Sequence, residues 1–167
     1  SKEIEFQLIC CIANTSSFIL SITDSLAEKI SSIISEEMRG GIVVDDVKEG
    51  IGEELRKQLV YLADVFVKEN EGPLAQIGAS TWTPADADEK LPRKLTDSFK
   101  NRFSIVQKWL YNDNMNRLRP VFIQKIIGVV HDSFMKQRLI TLDQASTISS
   151  ELKELKSMVS YWTKGDS

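Results

Sequence analysis

The 167-residue sequence predicts an all-α fold: an elongated antiparallel helical bundle of about five helices. Three observations predict it. Apolar residues recur every three to four positions over most of the chain. No stretch of useful length alternates with the period of two that a strand requires, the short Gly41–Asp45 apart. The four prolines and eight glycines fall mostly between residues 40 and 92, which leaves long runs free of helix breakers.

The first helix is predicted over 2–39. Its ladder runs Ile4, Leu8, Ile12, Thr15, Phe18/Ile19, Ile22, Leu26, Ile30, Ile33 and Met38, the face expected to pack. Arg39-Gly40-Gly41 ends it, because glycine accepts the left-handed backbone of a helix C-terminus and Arg39 suits the negative end of the dipole. The second helix, 45–70, follows Val47, Ile51, Leu55, Leu59, Leu62 and Phe66, with Asp45 and Asp46 placed to cap it. Gly50 and Gly52 each cost about 1 kcal/mol against alanine, so a frayed or later start is expected.

Residues 71–92 read as the main loop, with a short helix at Pro73–Ile77 and Trp82 folded back onto the bundle as a plug. The third helix, 93–111, carries Leu95, Phe99, Phe103, Val106 and Leu110. Asn112-Asp113-Asn114 reads as a tight link. The fourth, 116–138, carries Leu118, Phe122, Ile126, Val130 and Phe134, with Pro120 tolerated in its first turns. The fifth, 142–163, opens with the capping box Thr141-Leu142-Asp143-Gln144 and continues through Ile148, Leu152, Leu155, Val159 and Trp162. No helix of this size is stable alone in water, so lateral packing into one bundle over 1–167 follows.

An apolar fraction of 42% with 27% charged residues is ordinary globular composition. Ser, Thr and Asn interrupt the most apolar segment, Leu8–Ile22, so a soluble protein is expected. Cys10 and Cys11 are adjacent and close no loop, which suits a reducing compartment. Neither terminus carries a targeting or lipidation pattern, and both read as interior points of a longer polypeptide.

Residues that carry chemistry are sparse. His131 is the only histidine and has no cysteine or second histidine at ligand spacing, so a surface or structural role is expected. One thiol of Cys10-Cys11 at most faces a core, since adjacent helical residues point about 100° apart. Gly50-Ile51-Gly52-Glu53-Glu54 lacks the lysine and the strand of a phosphate loop. Asn14-Thr15-Ser16 has the glycosylation spacing but lies mid-helix, and Glu36-Glu37 and Glu53-Glu54 read as solvated. No catalytic site, metal, cofactor or small-molecule substrate is expected.

Charge is uneven. Residues 93–138 hold ten Lys/Arg against three Asp/Glu, whereas the rest of the chain holds eleven against twenty-one. The candidate interaction surface is therefore Arg93, Lys94, Lys100, Arg102, Lys108, Arg117, Arg119, Lys125, Lys136 and Arg138, which would draw an acidic protein or an anionic membrane. The competing expectation is that these cations pair with the acidic remainder of the chain. Nucleic acid is disfavoured, because Phe99, Phe103, Phe122 and Phe134 sit on the apolar ladders.

At Ile9-Cys10-Cys11-Ile12-Ala13-Asn14-Thr15-Ser16-Ser17-Phe18, followed by Thr23, Leu26 and Glu28-Lys29, the chain resembles the C-terminal half of the fifty-three subunit family of the Golgi-associated retrograde protein complex. A fainter similarity continues at Leu62-Ala63-Asp64, Pro73-Leu74, Pro120-Val121-Phe122-Ile123 and Leu142-Asp143-Gln144-Ala145. The resemblance implies stacked helical bundles within a multisubunit tether that captures endosome-derived vesicles at the trans-Golgi network. It also implies a cytosolic, peripheral location, with sister subunits, SNARE proteins and small GTPases as partners. The exocyst shares this rod architecture, and a free-standing helical adaptor that binds a peptide helix is the alternative.

Overall fold

The computed structural model describes residues 2–76, 91–136 and 141–163, which form helices with no strand among the described residues. The elements are α1 (Lys2–Ile33), α2 (Glu36–Arg39), α3 (Asp45–Glu69), α4 (Glu71–Gln76), α5 (Leu91–Gln107), α6 (Asn112–Met135) and α7 (Leu142–Thr163). The all-α bundle expected from the periodicity is present. Its main axis is α3, which packs against α1 on one side and α6 on the other, while α5 and α7 close the remaining flank.

Phe66 on α3 is fully buried at the centre. Its ring lies 5.7 Å from Phe6 of α1, 5.6 Å from Phe103 of α5 and 6.1 Å from Phe122 of α6. Phe122 also meets Phe99 edge-on at 5.0 Å and Phe103 at 4.9 Å, the tilted geometry that aromatic quadrupoles prefer. Four helices thus share one aromatic knot, extended by Leu62, Leu74, Leu95, Leu118 and Ile126.

Several boundaries differ from the sequence reading. The predicted first helix is two, α1 and α2, separated at Ile34 and Ser35. Gly40, expected left-handed, has φ −65° and ψ −13°, so this stop uses an ordinary right-handed turn. Asp45 and Asp46 lie inside the first turn of α3 and no side-chain cap bonds its N-terminus; they act there through the helix dipole. Gly50 and Gly52 are helical, because the aliphatic ladder behind them supplies packing that outweighs their propensity cost.

The short helix foreseen in the 71–92 connection is α4, begun two residues before Pro73. Asn70 fixes the corner: its side-chain amide donates to the Phe66 carbonyl at 2.9 Å, and its own carbonyl accepts from Leu74 N–H. Ser133 Oγ then donates to the Ala75 carbonyl, tying α6 to α4. The Trp82 plug lies outside the described residues.

Asn112-Asp113-Asn114, read as a link, is the first turn of α6; the link is residues 108–111. The same side chains that favour turns also favour helix starts, where Asp113 meets the positive end of the dipole. Pro120 therefore sits in the interior of α6 and not in its opening turns. The capping box is present as read: Thr141 N–H donates to Gln144 Oε1 at 2.9 Å and Gln144 N–H to Thr141 Oγ1 at 3.3 Å.

Candidate docking face

The α1 ladder is the largest reversal. Ile4, Leu8, Ile12, Phe18, Ile19, Ile22, Leu26, Ile30 and Ile33, expected to pack inward, are all exposed, with Ile33 reaching 83%. The face that packs is Phe6, Ile9, Cys10, Ala13 and Asn14. At 100° per residue the exposed ladder, Phe18 apart, occupies an arc of about 80°, on the side of the helix away from the packed residues. A helix apolar on two opposed faces satisfies one of them in this bundle and leaves the other open.

Small side chains explain the choice of face. Cys10 and Ala13 are fully buried, letting the backbone of α1 approach its neighbours closely, and Asn14 then keys the contact. Asn14 Nδ2 donates to the Trp109 carbonyl at 2.7 Å, and Asn14 Oδ1 accepts from Tyr111 N–H at 3.0 Å and from Asn114 Nδ2 at 3.2 Å. Asn114, fully buried, also donates to the Ala13 carbonyl at 3.3 Å. Two backbone groups of the α5–α6 link, the Trp109 carbonyl and the Tyr111 N–H, are thereby satisfied by α1.

Farther along, α1 rests on the start of α3 through Lys48, whose ammonium donates to both carboxylate oxygens of Asp24 at 2.7 and 2.8 Å. That bond holds the Lys48 pKa above the ordinary lysine value. Near the other end Tyr61 Oη donates to Glu5 Oε1 at 2.5 Å, which raises the phenol. By length and composition α1 could also cross a bilayer, with 33% of its most apolar window buried in the bundle.

Of the two thiols, Cys10 is buried and Cys11 exposed. Burial, with Cys11 adding, pushes the Cys10 thiol up to about 11. His131 is exposed beside Asp132. Among the described residues no three His, Cys, Asp or Glu side chains gather as a metal site would need.

The described basic side chains do not form one face. Arg102 grips Glu69 through Nε at 2.8 Å and Nη2 at 3.0 Å, with its guanidinium 5.7 Å from the Phe6 ring centre. Lys125 pairs with Asp64 at 2.7 Å. These two follow the internal-pairing expectation, both against acids of α3. Arg119 is partly buried and donates to Asn116 Oδ1 at 2.8 Å.

Arg117 and Arg119, two positions apart, point to nearly opposite sides of α6. Lys100, Lys108, Arg117 and Lys136 are exposed, and no ion pair joins them to another described residue. Arg93 and Lys94 belong to the first turn of α5, and Arg138 lies outside the described residues.

Sequence reasoning missed the open face because it ranked ladders by size and length of apolar run. The signal that could have found it was the second, shorter run of small residues, Cys10, Ala13 and Asn14, half a turn away. Compared with models of known protein families, with characterised proteins and with solved structures, the chain matches none of them, so the face is judged on its geometry alone.

Proposed function

We propose that this chain is a non-catalytic scaffold segment of a vesicle-tethering complex that acts in endosome-to-Golgi retrograde transport through protein–protein contacts. The observation that carries the reading is the open apolar ladder of α1, running the length of a helix whose first half is locked into the bundle by its opposite side. A monomeric surface seldom leaves so long an apolar strip in water, and such strips mark interaction sites.

The resemblance supplies the choice of assembly. Its strongest stretch, residues 9–18, coincides with the part of α1 that docks through Cys10, Ala13 and Asn14. On this reading the chain works in the cytosol, peripherally at trans-Golgi and endosomal membranes. Sister tether subunits are its direct partners, with SNARE proteins and small GTPases at the vesicle.

The experiment is depletion and rescue in the native cell. Loss of the chain should slow the return of an endosomal cargo receptor to the trans-Golgi network, and re-expression should restore it. Unchanged cargo return, with the chain absent from Golgi and endosomal membranes, overturns the reading. A free-standing adaptor is the second reading, favoured by the openness of the α1 ladder; it predicts exchangeable peptide binding in place of co-purification with tether subunits through a high-salt wash.

A further inference from the structure

We infer that the open ladder of α1 is the seat of one long amphipathic helix with uncharged flanks, contributed by another protein chain and packed lengthwise along α1. The inference rests on the scaffold reading and deepens it by naming the partner's chemistry.

Length is the first argument. From Ile4 to Ile33 the ladder extends about 44 Å at 1.5 Å per residue, roughly four heptads, the range in which helix pairs become stable. A short peptide would cover only part of it. Area is the second. The exposed ladder side chains together offer on the order of 800 Å², what one partner contributes to a standard-sized interface.

The flanks are the third argument. Beside the ladder stand Gln7, Cys11, Ser25 and Ser32 on one edge and Ser16 on the other, with Glu5 and Lys29 the charges nearest to it. Helices that lie in a membrane interface carry a strongly charged, Lys/Arg-rich polar face. Specific charged zippers place Glu and Lys along both edges. α1 has neither pattern. Small uncharged edges instead admit a close neighbour and ask for no charge on it, as in the interior of a helical bundle.

A designed helix of about 28 residues, Leu and Ile on its seam, Gln and Ser at its flanks and charge only on its far side, is the probe. Binding is read by fluorescence anisotropy against the intact chain, beside a Lys-flanked version, a half-length version, and phosphatidylcholine vesicles with and without phosphatidylserine. The expected result is that the full-length uncharged-flank helix binds at least tenfold more tightly than the half-length one. Its affinity should change less than twofold between low and high salt, and Ile12→Glu with Leu26→Glu should abolish binding while circular dichroism stays native.

Preference for the Lys-flanked helix or for anionic vesicles overturns the inference. So does binding that survives the double substitution. Sedimentation of the unliganded chain as a dimer that the same substitutions dissociate assigns the ladder to a second copy, and also overturns it. None of these results bears on cargo return in depleted cells, so this inference and the tethering reading fail separately.

Discussion

The side-chain amide of Asn14 donates to the backbone carbonyl of Trp109 at 2.7 Å, joining two points 95 residues apart. Around this bond α1 meets the α5–α6 link, and Asn14 at once accepts from Tyr111 N–H and from Asn114. Asn14→Ala removes all three contacts and strands buried polar groups, so it should destabilise the fold by about 2–3 kcal/mol. A urea titration checks this, with Asn101→Ala, on the exposed side of α5, as a near-neutral reference.

The packing contrast is sharper. Phe66→Ala opens a void in the middle of the aromatic knot and should cost about 3–5 kcal/mol. Leu26→Ser on the open ladder should change stability by no more than about 0.5 kcal/mol. If thermal unfolding finds the two comparable, the assignment of inner and outer faces to α1 fails.

Gly52→Ala should stabilise the protein by about 1 kcal/mol. The residue lies inside α3, and a Cβ built there meets nothing within 4 Å, so the alanine gains helix propensity without a clash. A raised unfolding midpoint for this variant, and a second rise when Gly50→Ala is added, is the expected outcome.

Alkaline pH tests the buried thiol. The Cys10 pKa is raised from 9.0 to about 11, so folding favours the protonated form. That contribution is complete below pH 9 and is lost as pH climbs through about 11. Lys48 and Tyr61, both raised, lose stability in the same direction, so the informative quantity is the difference between wild type and Cys10→Ala, which should lose stability less steeply above pH 9. At neutral pH a thiol reagent should modify Cys11 and spare Cys10.

The fold class was legible because aliphatic and aromatic residues such as Leu55, Leu59, Leu62 and Phe66 repeat at one helical face, and burial follows that repeat wherever a single face is apolar. The capping box at Thr141 was legible for a similar reason, being a local interaction written in four consecutive residues. α1 was misread because it offers two apolar faces, and periodicity alone gives no reason to prefer the one with cysteine, alanine and asparagine. What decides is tertiary: how closely backbones approach, and whether the Tyr111 and Trp109 backbone groups find Asn14. The paired cations were beyond the sequence too, since Arg102–Glu69 and Lys125–Asp64 depend on which helices become neighbours.

The way α1 is held has a mechanical consequence. Its first half is bolted down by the Asn14 bonds and the Phe6 contact, whereas the part beyond the packed Leu20 and Thr23 leans on α3 through the Lys48–Asp24 pair. A beam clamped at one end and propped by a single charged strut bends most easily at the free end. Added salt screens the strut and leaves the bolt untouched, so amide hydrogens beyond Asp24 should exchange faster as ionic strength rises while those around Ala13 hold their rate.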